Sequence, residues 1–363
     1  MLRRSSVVAI AAFVAIVVAT TPASAQVGPF DPPQPVVGGC ESFFGDAVVT
    51  ASGETRGFVT CETPTGLRIR FFSRTAAGTV NPSESTGFVG NVLGVAHDST
   101  ATYVLFHNDT QILIGKRTNA GGYGFRVVDT FLGGGPFPTG DVIARDGQWF
   151  GVWSEQVGPG EFGQTELFQG GTAFPVRRIT TTPENVDDFL PSLTYSGVTP
   201  VLAWTRALAS EPGSSDVWVA KLISGAWQSR VFASAGFNNF LPDIQWSGGV
   251  AVVTWNRDNF VVVASNPTGS FTSHTFNTGG IAPKVAPSIS PTAADDIFVT
   301  WTAFNPAGDR VFFAETASSS VNGTWHGATI APANTFPFAV GAAGGKAIVA
   351  YQEGATVRVR AQT

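Results

Sequence analysis

Val201-Leu202-Ala203-Trp204 is a short apolar strand that ends on an aromatic side chain, and the chain says it again. The same phrase returns as Val252-Val253-Thr254-Trp255, Phe298-Val299-Thr300-Trp301 and Ile348-Val349-Ala350-Tyr351. Each copy follows a Gly-rich turn and a strand that carries a proline: Pro191-Ser192-Leu193-Thr194, Pro242-Asp243-Ile244-Gln245, Pro287-Ser288-Ile289-Ser290 and Pro337-Phe338-Ala339-Val340. A third strand comes next, as in Asp216-Val217-Trp218-Val219-Ala220 or Arg310-Val311-Phe312-Phe313-Ala314, and a fourth runs from a Gly-aromatic turn, as in Trp227-Gln228-Ser229-Arg230-Val231-Phe232. Towards the N-terminus, Gly151-Val152-Trp153 and Val104-Leu105-Phe106 hold the aromatic place, and Phe58-Val59-Thr60-Cys61 fits it more loosely. The marks Cys61, Phe106, Trp153, Trp204, Trp255, Trp301 and Tyr351 are separated by 45, 47, 51, 51, 46 and 50 residues. Seven near-even marks, each inside a four-strand unit, predict an all-β, seven-bladed propeller of four-stranded antiparallel blades. The aromatic of each second strand is expected to pack between neighbouring blades.

Ring closure follows from what the last unit lacks. It offers strands near Phe338–Val340, Ala347–Tyr351 and Thr356–Ala361, and then no sequence for a fourth. Val36-Val37, just after the Pro-rich stretch Pro29–Pro35, is free to supply it. An N-terminal strand in the last blade would leave no long exposed edge. The domain plan is then a leader over 1–25, a Pro-rich segment over 26–35 and a propeller over 36–363.

Composition agrees with many short strands. Gly numbers 42 and Pro 23, Phe 29 and Trp 9, while charged residues are only 13%. Disorder requires few aromatics and a high net charge, the opposite of this chain. Arg3 and Arg4, an apolar run over Val7–Val18 and Ala23-Ser24-Ala25 read as a secretory signal peptide cleaved after Ala25. That run is too short to span a bilayer, and no later segment is apolar for long enough. Removing the leader changes 21 basic against 26 acidic side chains to 19 against 26, a net charge of −7. Phosphate contacts dominate nucleic-acid affinity, so a Lys-poor acidic chain is not expected to bind nucleic acid or anionic membranes. Cys40 and Cys61 read as one disulfide in an exported protein. They and the four scattered histidines do not make a metal site, and no cofactor motif is present. The cysteine nearest the cleavage site, Cys40, is too far along for a lipid anchor, and a monomer is expected.

Two turns between third and fourth strands carry a weaker motif: Ser265-Asn266-Pro267-Thr268-Gly269-Ser270-Phe271 and Ser319-Ser320-Val321-Asn322-Gly323-Thr324-Trp325. They resemble the aspartate-box repeats of sialidase-type and other secreted bacterial propellers, Ser-x-Asp-x-Gly-x-Thr-Trp. Pro267 and Val321 replace the aspartate, and the aromatic arrives one residue early; Ser224-Gly225-Ala226-Trp227 is more eroded still. In that family the boxes are structural and remote from the active site. The resemblance implies an active site of three arginines, a tyrosine nucleophile paired with a glutamate, and an aspartic acid.

The register names the face where a site should lie, reached by loops that leave the second strands and enter the first. His107, Asp109, Glu155, Arg206, Arg257, Asp258 and Glu353 follow the aromatic marks, and Asp187, Asp188 and Asn334 enter first strands. His107 and the charged residues among these are the ligand-binding candidates. For an enzyme, Arg206 and Arg257 would be two arms of a carboxylate clamp whose third arm is absent, since Thr302 follows Trp301. Glu155 with Glu353 or Glu62 would be the acid–base pair. With that constellation incomplete, the sequence favours a secreted, non-catalytic propeller that binds carbohydrate or protein through one polar loop face. The alternative is a sialidase-like or other glycoside hydrolase or lyase with its site in the central cleft.

Overall fold

The computed structural model describes residues 27–40, 44–131, 138–157, 164–183, 186–208, 214–233, 236–247, 249–266, 271–276, 281–289, 295–303, 310–317, 321–332 and 335–363. The proposed leader over 1–25 lies outside them. The described strands form seven four-stranded antiparallel sheets. The first strands, Gly45–Val49, Asn91–His97, Gly140–Arg145, Val186–Ser196, Asn239–Ser247, Ile281–Ile289 and Thr335–Ala343, pack against one another in sequence, and the seventh meets the first. This is the seven-bladed propeller, numbered here from blade 1 at Gly45–Val49, with the first strand of each blade beside the axis.

Blade 7 is completed from the other end of the chain. Gln34–Gly38 pairs antiparallel with Thr356–Ala361, bringing Val37 opposite Val357 and Gly38 opposite Thr356. The closure reaches further than the strand: Asp31 N donates to Ala361 O, Thr363 N donates to Pro29 O, and Phe30 packs edge-on against Phe313 of blade 6. Asp31 also pairs with the buried Arg74 of blade 1, whose Nε donates to Gln34 Oε1 at 2.8 Å. The Cys40–Cys61 disulfide then joins the end of the closing strand to the second strand of blade 1.

Between blades the core divides into seven apolar clusters, one at each joint. The aromatic mark of a blade enters the cluster it shares with the preceding blade: Phe106 meets Phe58 and Phe71, Trp153 meets Tyr103 and Leu105, and Trp204 meets Phe150 and Leu167. Trp255 meets Val201 and Val217, Trp301 meets Val252 and Val261, and Tyr351 meets Phe298 and Phe313. Each is nearly or fully buried, so truncation to alanine would cost about 3–5 kcal/mol.

Strand pairing corrects one mark. In blades 2 to 7, the residue just before the mark faces Gly94, Asp141, Ser192, Asp243, Lys284 or Ala339 of the first strand. In blade 1 the matching pair is Phe58 with Asp46, which puts Val59 in the aromatic place and Cys61 two residues beyond it. Val59 accordingly packs in the joint between blades 7 and 1. A cystine there already ties the joint, and a valine suffices to fill it.

Among the described residues no helix is long and apolar enough to cross a membrane. Replacing Cys40 and Cys61 together by serine opens a clip with a sequence separation of 21 residues. The expected loss is about 3 kcal/mol, read as a lower urea midpoint than wild type under oxidising conditions.

Candidate active site

The exposed edge of every first strand faces the axis, and its outward N–H groups need acceptors in a narrow space. Side chains of the preceding blade supply them. Asp46 Oδ2 accepts from Val95 N and Asp141 Oδ2 accepts from Leu193 N, each at 2.7 Å. Ser192 Oγ accepts from Ile244 N and Thr194 Oγ1 from Trp246 N, each at 3.1 Å. The other oxygen of each aspartate accepts the next N–H of its own strand, from Ala47 and Val142. Ser192 Oγ in turn donates to Asp243 Oδ1 at 2.9 Å.

One ring around the axis therefore reads Asp46, Gly94, Asp141, Ser192, Asp243, Lys284, Ala339, one residue per blade. Gly94 is small for a reason. A Cβ at that place would lie 2.7 Å from Asp141 Oδ1 and 2.8 Å from Asp141 Cα, so blade 2 leaves room for the carboxyl of blade 3. The ring's polar members line a central cavity of about 640 Å³, with Phe44, Leu93, Leu190, Leu241 and Phe338 among its apolar walls.

Burial in this cavity sets the protons. It pushes the Asp46 carboxyl up to about 6, with the Lys284 charge and two N–H donors pulling the other way. Asp141 is pushed further, to about 8, by burial and then by the negative charge of Asp46. Burial works against the Lys284 ammonium, but the three surrounding aspartates outweigh it and hold that amine above its ordinary value. At neutral pH Asp141 thus keeps its proton while Asp46 is ionised, the two states that proton-transfer chemistry needs in one site.

The cavity wall contains backbone strain. Leu190 and Leu241 have φ of 54° and 53°, a left-handed conformation that costs a branched residue on the order of 1–2 kcal/mol. The other described non-glycine residues with positive φ are Asp146, Ser224 and Asp258, whose short polar side chains suit turns. Each leucine precedes a proline and sits where the pairing of its first strand skips, between Phe189 and Ser192 and between Phe240 and Asp243.

None of the residues singled out from the sequence lines this cavity. Asp188 is fully buried and accepts Arg206 Nε and Nη2, both at 2.7 Å, as well as Trp204 Nε1 at 2.9 Å. Arg206 lies over the Trp218 ring at 4.2 Å. In blade 5, Asn239 Oδ1 takes Trp255 Nε1 at 3.0 Å and Arg257 Nε at 3.4 Å, and Arg257 lies over Phe237. The two arginines are therefore held inside their own blades and form no common clamp. Trp153 Nε1 donates to Glu155, whose carboxyl burial pushes up to about 7 with Asp129 beside it. Glu353 pairs with Arg358, Asp187 Oδ1 accepts Thr165 N, and Asp258 Oδ1 accepts Asn238 N. His107 is buried with Nδ1 against Asn108 O, and burial lowers its pKa; Asp109 is exposed. Asn334 lies outside the described residues. Buried indoles need acceptors, and these polar neighbours of the marks provide them.

The box-like turn of blade 6 is also a brace. Trp325 Nε1 donates to Val321 O, Val321 N donates to Ser265 Oγ of blade 5, and the Trp325 ring stacks on His274. Residues 267–270 and 318–320 of the two turns lie outside the described set. Among the described residues no group of three or more His, Cys, Asp and Glu side chains is placed to hold a metal ion.

The sequence did hold a signal for the ring. Gly94, Asp141, Ser192, Asp243 and Ala339 each stand twelve residues ahead of Phe106, Trp153, Trp204, Trp255 and Tyr351. Aspartates at that offset in blades 3 and 5 are the chemistry that counting outward from the marks passed over.

No protein-family model and no curated protein sequence matches this chain. Solved structures do. An α-L-arabinanase of Penicillium chrysogenum, complexed with arabinobiose, aligns with TM-score 0.53 and 11% identity over 86% of this chain and 99% of its own. AofleA from Arthrobotrys oligospora aligns with TM-score 0.54 and 9% identity over 85% and 91%. An α-L-arabinofuranosidase of Fusarium graminearum, in complex with an iminosugar inhibitor, gives 0.51 and 9% over 94% and 97%. At such identities the likeness is one of fold. The expectation of a non-catalytic binding propeller is nonetheless corrected: the rings it superposes on include glycoside-cleaving enzymes.

The protons give a test independent of substrate. Both aspartates have folded pKa values above the ordinary carboxylate value, so the native state binds protons more tightly than the unfolded chain. The stabilisation is complete below about pH 4 and is lost as pH rises through about 6 and then about 8. Urea midpoints should therefore fall across that window on account of these groups. Asp141→Asn should flatten the slope between pH 6 and 8 by up to one proton.

Proposed function

We propose that the chain is a glycoside hydrolase whose reaction takes place in the central cavity, with Asp141 as general acid and Asp46 as general base. One observation carries this reading: of the three aspartates that line the cavity, Asp141 and Asp46 have their proton affinities pushed apart, to about 8 and about 6. A protonated Asp141 can give its proton to the glycosidic oxygen as that bond breaks. An ionised Asp46 can take the proton of the attacking water, or stabilise the cationic sugar carbon that forms. Asp243, braced by Ser192, and the Lys284 ammonium fix the local field and keep the two protonation states distinct. The reaction asks for no cofactor.

The arabinanase and arabinofuranosidase folds support α-L-arabinose linkages as the first substrates to assay. The remaining parts of the proposal follow the sequence: an exported bacterial protein, cleaved after Ala25, working as a monomer on carbohydrate and not on nucleic acid or membrane. The disulfide accords with an oxidising compartment.

Turnover of arabinan and of 4-nitrophenyl α-L-arabinofuranoside should follow a bell-shaped pH profile with apparent limbs near 6 and 8, belonging to the coupled pair. Asp46→Asn and Asp141→Asn should each lower kcat by roughly 10²–10⁴, while Glu155→Gln, outside the cavity, retains it within a few-fold. Wild-type rates that match the two asparagine variants on a broad glycoside panel would remove the proposal.

A further inference from the structure

Apolar packing does not repay the strain at the two leucines. The seven core clusters take in Leu93 and Phe338, which also line the cavity at skipped pairings, but they include neither Leu190 nor Leu241. Both leucines remain half-exposed. Proline at the following position makes the helical regions less favourable still for the residue before it. Two apolar side chains are thus held at the same repeat position of adjacent blades, in a disfavoured backbone state, and face the cavity instead of the core. Thr139 Oγ1 of blade 3 accepts the Leu190 N–H at 2.8 Å, which fixes the first of them. Bulges beside active sites commonly re-aim a side chain, and strain that packing does not repay is stored where a ligand uses it.

From this we infer that Leu190 and Leu241 form an apolar lip that receives the C–H face of a sugar ring at the cavity mouth. They are specificity-determining residues above the aspartate ring. The inference rests on the glycoside hydrolase reading for its substrate, and the polar floor with an apolar rim is what such a ligand requires: hydroxyls meet Asp and Lys, and ring carbons meet leucine. The lip acts on ground state and transition state alike, since it touches no breaking bond.

The test uses Leu190→Gly, Leu241→Gly, the double variant, and Leu190→Asn as a residue that tolerates positive φ while removing the apolar branch. Melting temperature, steady-state kinetics, and calorimetric binding of arabinotriose, xylotriose and galactotriose are measured for each. The expected result is a melting temperature unchanged or raised, because the backbone strain is relieved. KM should rise roughly tenfold or more and kcat should change less. A fall in melting temperature with KM and trisaccharide binding unchanged would make the leucines structural and overturn the inference. Wild type that binds a trisaccharide without cleaving it, with binding weakened in the glycine variants, would keep the lip and discard hydrolysis. Wild type that neither binds nor cleaves any of the three would overturn the lip as a sugar contact.

Discussion

The molecule depends on how seven strand edges are satisfied around one axis. A first strand turns half of its N–H groups away from its own sheet, into a space too narrow for each to be freely hydrated. Asp46, Asp141, Ser192 and Thr194 reach forward to the next blade and accept those protons. The bond that sets blade against blade therefore also places carboxyl groups beside the axis. Each amide left unpaired there would cost about 1–3 kcal/mol.

That dual service explains the proton affinities. A carboxylate accepting two N–H groups is favoured in its charged form, yet enclosure by apolar joints disfavours the charge more strongly. Asp46 and Asp141 receive the same pair of bonds, one from their own strand and one from the next blade. What separates them is charge: Lys284 leads the pull on Asp46, whereas the negative Asp46 adds to burial at Asp141. The asymmetry is a property of the ring and not of either residue alone.

Much of the fold could be read from residues such as Trp153, Trp204 and Trp255, because an aromatic buried between blades must recur wherever a joint recurs. Closure by Val36-Val37 was equally readable, since an unfilled edge demands a strand. In blade 1 the mark falls two residues late because Cys61 closes the phrase Phe58-Val59-Thr60-Cys61, while Val59 fills that joint beside a cystine. The site was harder. Charged residues next to the marks, such as Arg206 and Glu155, looked exposed to ligand, but an indole N–H two residues away had prior claim on them or their partners. Asp141 and Asp243 were hidden by their setting in ordinary strand sequence. The pairing register, with its skipped residues at Leu190 and Leu241, shows which side chains turn to the axis.

The closing blade has a temporal side. Residues 34–38 leave the ribosome long before residues 356–361, the strand with which they pair. Every other blade is a local meander that can assemble as it is made, whereas this joint brings together segments more than three hundred positions apart, with the loop-closure entropy that entails. A chain that stops before residue 356 has nothing to offer Val37, whose partner is Val357. The ring thus records whether synthesis has reached residues 356–361, because only then can the joint between blades 7 and 1 take its final form.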